Sequence, residues 1–135
     1  MITHIDHIAI AVQNLDSALD TFCTILGVDR QSVHIEEVAS EKVRVGCIPL
    51  GASTIELLEP LEAGSPIEKF LATNGDGLHH IALATDNIET ETARLVESGM
   101  KPLSPPKEGA GGKRIVFLHP KQTNRVLLEC TQKNG

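Results

Sequence analysis

Two histidines and two glutamates recur at one interval: His7 and His80 are 73 residues apart, and so are Glu56 and Glu129. Each glutamate interrupts an aliphatic run, Thr54-Ile55-Glu56-Leu57 and Leu127-Leu128-Glu129-Cys130. Burying a carboxylate without a partner is costly, so two such acids at matched positions call for a shared cation. Two imidazole nitrogens and two carboxylate oxygens suit a borderline divalent ion such as cobalt, nickel, zinc, manganese or iron, and the ligands alone do not single one out. On a six-coordinate ion this set leaves two adjacent positions for water or substrate, and an open site points to catalysis rather than structural support. The expected metal ligands are therefore His7, Glu56, His80 and Glu129. His4, His34, His79 and His119 do not share the duplication, and His79, next to His80, is expected to face the other side of its strand as a structural residue.

The elements that must position these residues are themselves repeated. His7-Ile8-Ala9-Ile10-Ala11-Val12-Gln13-Asn14 matches His80-Ile81-Ala82-Leu83-Ala84-Thr85-Asp86-Asn87 at five of eight positions, which reads as a duplicated module. Period-2 alternation places Ile8, Ile10 and Val12 on one face of the first strand, with His7, Ala9 and Ala11 on the other. The histidine face carries only small neighbours and is shaped to line a cleft. Leu15, Ala18, Leu19, Phe22, Ile25 and Leu26 follow at helical spacing, and Gly27 suits a left-handed cap. Ile88, Thr92, Leu95 and Val96 form a weaker stripe before Gly99. Strands are expected around Arg30–Glu37, Val43–Pro49 and Ser53–Leu58, then around Lys101–Leu103, Ile115–Leu118 and Arg125–Cys130.

This gives an α+β chain of two tandem βαβββ modules, about residues 1–60 and 77–135, within a single domain. Near the join, Ser65-Pro66-Ile67-Glu68 carries a helix-start signature and Asn74-Gly75 a stop. Ser104–Lys113 reads as a loop, at a substrate mouth or simply on the surface.

Composition narrows the function classes. The 135 residues carry a formal charge of -6, which supplies no basic stripe for nucleic acid or anionic membrane. Three Phe and neither Trp nor Tyr make the core aliphatic. Cys23, Cys47 and Cys130, without a paired motif, read as buried thiols in a reducing compartment. No apolar run approaches the roughly 18 residues of a membrane span, and no leader pattern opens the chain, so a cytoplasmic location is the expectation.

The quartet and the module order resemble the vicinal-oxygen-chelate superfamily, which implies an α+β fold whose two βαβββ modules form a curved mixed sheet around a metal-binding cleft. Within it the chain resembles the methylmalonyl-CoA epimerase family over nearly its full length. The carrying motifs are Asp6-His7-Ile8-Ala9, Ile55-Glu56-Leu57-Leu58-Glu59-Pro60, Gly77-Leu78-His79-His80-Ile81-Ala82, Gly111-Gly112-Lys113-Arg114-Ile115, and Phe117-Leu118-His119-Pro120-Lys121 followed by Val126-Leu127-Leu128-Glu129. The resemblance implies an acyl-CoA substrate, one divalent ion per chain with cobalt expected first and zinc, nickel or manganese as alternatives, and a homodimer. It also implies inversion at the carbon alpha to a thioester, with Glu129 as one proton-transfer group. Some family members place a second glutamate where this chain has Val45, leaving Glu41, a displaced strand register, Glu56 or an ordered water for that task.

Glyoxalase I resembles the chain in fold and ligand set. The Phe117–Lys121 motif, and the lack of an arginine near Gln13–Asp16, favour the epimerase. A ring-cleaving iron dioxygenase would need the position that Glu56 fills. A drug-sequestering binding module, the non-enzyme alternative, would lack the quartet.

Overall fold

A computed structural model describes residues 1–133. Its elements, in chain order, are β1 (Ile2–Ala11), α1 (Leu15–Leu26), β2 (His34–Val38), β3 (Val43–Leu50), β4 (Ser53–Pro60), α2 (Pro66–Asn74), β5 (Gly77–Thr85), α3 (Ile88–Glu97), β6 (Lys107–Glu108), β7 (Arg114–Leu118) and β8 (Leu128–Gln132). The fold is α+β, and its strands form a mixed sheet of order β2-β3-β4-β1-β5-β8-β7-β6. The chain divides into two compact units, Met1–His7 with His80–Gly135, and Ile8–His79, so the boundaries fall inside β1 and β5.

In the unit Ile8–His79, local chemistry sets where α1 begins and ends. Asn14 accepts from the Ser17 amide at 3.0 Å, satisfying one of the amides a helix start leaves open. Gly27, at φ 67°, turns the chain out of the helix while its amide donates to the Cys23 and Thr24 carbonyls. The stripe predicted for α1 packs in part: Leu15, Leu19 and Cys23 are buried with Val12, Ile48 and Leu57, and Ala18, Phe22 and Leu26 lie against them, whereas Ile25, also expected in the stripe, is 72% exposed. The helix lies close enough that a Cβ at Gly46 would stand 3.1 Å from both Leu15 Cδ1 and Leu19 Cδ2. The other face of these strands buries Ala9, Ala11, Val43, Val45 and Leu58 against Ile67 and Leu71 of α2. Ser65 caps α2 by accepting from the Glu68 amide at 3.0 Å. Glu68 reaches back to the Gly64 amide, one residue before the cap.

In the unit Met1–His7 with His80–Gly135, Asn87 caps α3 as Asn14 caps α1, accepting from the Thr90 amide at 3.0 Å. The shared asparagine of the sequence repeat is thus the helix cap of each copy. Strands β5 and β8 run parallel with Ala82 opposite Glu129, while β7 and β8 run antiparallel with Phe117 opposite Glu129. Ile88 of α3, Val116 and Cys130 are the buried core, with Ile2 and Leu95 packed against them.

Three expected strands have different limits. The Arg30–Glu37 run begins as a tight turn at Arg30–Ser32, capped by the Asp29 carboxylate, and becomes extended only at His34. Lys101–Leu103 is not a strand; Pro102 makes one bridge to Leu118, and the edge pairing comes instead from β6, inside the stretch expected to be a loop. Pro102, Pro105 and Pro106 withhold the amides a continuous ladder requires. The Arg125–Cys130 run starts at Leu128, because Asn124 (φ 56°) and Arg125 (φ 68°) take left-handed backbone that breaks an extended chain.

Candidate metal centre

Alternation along β1 sends Asp6 and His7 to opposite sides of the strand axis, yet both are buried, at 3% and 4% exposure. Within the unit Met1–His7 with His80–Gly135, β1 supplies His7, β5 supplies His80 and β8 supplies Glu129. The two imidazoles meet edge to face, with ring centres 5.2 Å apart and Nε2 atoms 3.1 Å apart. Glu129 completes the group: its Oε2 lies 3.4 Å from His7 Nε2 and its Oε1 3.8 Å from His80 Nε2. His80 and Glu129 are as buried as His7, at 7% and 5%.

Neighbouring residues hold this geometry. Ala82, beside Glu129 across β5 and β8, is fully buried and leaves room for the carboxylate. The Phe117 ring stands edge-on to His80 at 5.6 Å, which limits rotation of the imidazole.

In the unit Ile8–His79, Glu56 lies at the middle of β4 opposite Cys47, partly buried, on the strand face away from Ile55 and Leu57.

The donor set fits a divalent cation. Two neutral imidazoles aiming Nε2 at one another can share only one proton between those atoms. A carboxylate alongside them is better satisfied by a positive charge than by either ring. His79 takes no part: it stacks edge-on against Phe70 at 5.0 Å, and burial lowers its pKa, which keeps it neutral.

Two polar residues of the site escaped the sequence reading. Asp6 Oδ2 is 2.7 Å from His7 Nδ1, and Lys113 Nζ donates to the same oxygen at 2.9 Å. Burial pushes the Asp6 carboxyl up, but hydrogen bonds from His7 and Lys113, with the charge of each, outweigh it and hold the group well below the usual carboxylate range. Both residues stand in quoted motifs, yet nothing in those strings shows that residues 107 positions apart meet.

This has a consequence for stability. A carboxyl whose pKa is depressed on folding stabilises the native state above its unfolded pKa of about 3.9, and that contribution fades as pH falls toward the folded value. Asp6→Asn should therefore destabilise the metal-free protein at pH 7, and the difference from wild type should shrink below about pH 4. Urea unfolding of both proteins at pH 7 and pH 3 checks this, and an equal difference at both pH values would contradict it.

The structure also narrows the search for a second proton-transfer group. The β3–β4 register is unbroken, with Val45 opposite Leu58, so no displaced register brings another side chain to that position. Val45 itself is 3% exposed, in the aliphatic layer beside Ala9 and Ala11. Glu41 is an exposed residue in the turn before Lys42.

The model of the glyoxalase/bleomycin resistance protein/dioxygenase superfamily matches residues 6–117, and the chain belongs to that superfamily. Its curated homologues include methylmalonyl-CoA epimerases. One, the ethylmalonyl-CoA/methylmalonyl-CoA epimerase of Cereibacter sphaeroides, is 40% identical over 135 residues, covering 98% of this chain and 99% of that protein. A variant of the Streptomyces coelicolor methylmalonyl-CoA epimerase, solved with 2-nitronate-propionyl-CoA, superposes with a TM-score of 0.91 at 35% identity, and each chain is covered completely. A methylmalonyl-CoA epimerase solved with methylmalonyl-CoA and NH4+ gives the same TM-score and identity, covering 100% of this chain and 97% of that one.

Proposed function

We propose that this chain is an epimerase that interconverts the 2R and 2S forms of methylmalonyl-CoA by removing and returning the proton alpha to the thioester. The observation that carries the reading is the convergence of His7, His80 and Glu129, in a chain 40% identical over nearly its whole length to an epimerase of this substrate class.

His7, His80 and Glu129, with Glu56, would hold the divalent ion, whose charge stabilises the oxyanion that develops as the alpha proton leaves. Cobalt is the first candidate, with zinc, nickel and manganese behind it. The residues of the chain do the rest. Burial of Glu129 and the two histidines keeps bulk water from competing for the donor atoms. Glu129 is the group proposed to take and return the proton on one face of the planar intermediate. Proton transfer by such a positioned group contributes about 10²–10⁴-fold to a rate. On the other face, Glu56 or a water ordered by it would serve, since no acid stands at Val45.

Among the described residues no helix is long and apolar enough to cross a membrane. A homodimer working in the cytoplasm accords with the family resemblance, and light scattering at micromolar concentration tests the assembly.

The deciding experiment incubates cobalt-loaded protein with methylmalonyl-CoA in deuterium oxide and follows alpha-hydrogen exchange and epimer composition. Exchange with inversion is expected, and His80→Ala should abolish both. Exchange without inversion would leave one working face and disprove the epimerase. No exchange with metal bound would also overturn the proposal, and turnover of the methylglyoxal–glutathione hemithioacetal would then favour a glyoxalase.

A further inference from the structure

The centre has a built-in asymmetry that the duplication does not explain. The position that precedes the histidine is Asp6 in the first copy and His79 in the second. A residue kept only for strand packing has no need to be a buried acid in one copy and an imidazole in the other. Asp6 is 3% exposed, and its Oδ2 is shared between His7 Nδ1 at 2.7 Å and Lys113 Nζ at 2.9 Å. A second amine, Lys133 Nζ, stands 4.0 Å from Oδ1 on a largely exposed side chain.

The loop before β7 is built to deliver Lys113. Gly111 and Gly112 take successive left-handed conformations, φ 67° and 74°, which side-chain-bearing residues rarely adopt. Gly109 passes so close to β7 that a Cβ there would come within 2.8 Å of Ile115 Cδ1. The amine arrives at a carboxylate whose other partner is an imidazole Nδ1. A carboxylate in that position accepts a proton from the ring, so the ring's Nε2 is the unprotonated atom. Nε2 is the atom 3.1 Å from His80 Nε2 and 3.4 Å from Glu129 Oε2, at the centre.

We propose that Asp6, held by Lys113, is a positioning residue that fixes His7 as its Nδ1–H tautomer, so that the Nε2 lone pair is presented to a divalent cation. This rests on the metal-centre reading and deepens it. Neither Asp6 nor Lys113 needs to touch substrate. Outer carboxylates that orient a ligating imidazole typically change metal affinity by about 10–100-fold when replaced.

The substitution that separates this role from mere packing is Asp6→Leu. It keeps a similar size and shape but offers no acceptor to Nδ1–H, so the imidazole is released to its Nε2–H tautomer and the ligand atom becomes a donor. Two measurements are made on each protein: the His7 tautomer by nitrogen-15 NMR without metal, and the cobalt Kd by competition with a chelator. Wild type should show Nδ1–H and bind one cobalt per chain. Asp6→Leu should lose the Nδ1–H signature and bind cobalt about 10–100-fold more weakly. Lys113→Met, on a side chain 23% exposed, should shift both readings the same way but less.

A folded Asp6→Leu protein with the wild-type tautomer or the wild-type Kd overturns the inference. If that variant does not fold, Lys113→Met decides: a raised Kd with a weakened Nδ1–H signature supports the inference, and unchanged values overturn it. The two readings fail separately. Wild type that carries Nδ1–H yet binds no cobalt refutes the metal centre, whereas wild type that binds cobalt with His7 as Nε2–H refutes the role of Asp6.

Discussion

Replacing Glu129 with glutamine is expected to lower epimerisation about 10²–10⁴-fold, the range lost when a positioned proton-transfer group is removed. The prediction rests on where Glu129 sits. Its side chain is 6% exposed, and its two oxygens face the two histidine Nε2 atoms at 3.4 and 3.8 Å. Glutamine has nearly the same volume, so Ala82 and Phe117, its neighbours across β8, keep their packing. What changes is that an amide neither accepts a proton at neutral pH nor carries a charge. Steady-state turnover, combined with alpha-hydrogen exchange in deuterium oxide, checks this at saturating cobalt. Loss of inversion at full metal occupancy, with exchange retained only from the epimer whose alpha proton faces the other group, assigns one face of the proton step to Glu129. A loss that disappears as cobalt is raised would show that the residue serves only as a ligand. Unchanged turnover would remove it from the reaction altogether.

The largest expected effect on stability comes from Leu57→Ala. Leu57 is fully buried, enclosed with Leu15, Leu19 and Ile48 between β4 and α1. Removing a buried leucine side chain typically costs about 2–5 kcal/mol, the transfer term plus the cavity left behind. Small domains have only about 5–15 kcal/mol in total, so the variant should unfold at a clearly lower urea concentration. The slope of the transition should be unchanged if the unfolded state is unaffected. Leu103→Ala is the control: at 55% exposure it should stay within about 0.5 kcal/mol of wild type. Equal effects at both positions would contradict the core assigned here.

What the sequence determined by itself was periodic or repeated. Most of the stripe of α1, the cap at Ser65 and the cap at Gly27 are local signals, each needing only a few residues to be recognised. The candidate ligands were legible because a duplicated module presents the same position twice: a histidine and a glutamate each recurring at one interval stand out against background in a way one His or one Glu does not. The fold class followed from the same repetition.

Where one copy departs from the other, the sequence was silent. The strand expected at Lys101–Leu103 gave way to β6, because prolines deny the ladder its amides and the loop beyond them is free to supply the edge. The late start of β8 depends on left-handed backbone at Asn124 and Arg125, two residues without the glycine that usually marks it. Only tertiary structure could bring Lys113 to Asp6, since a hydrogen bond across 107 residues is set by how β1, β5, β8 and β7 lie side by side and leaves no periodic trace along the chain. Local preferences act over a few residues and can be read along the string, whereas the protonation state of His7 depends on a carboxylate and an amine that meet only after the sheet has closed its hydrogen bonds.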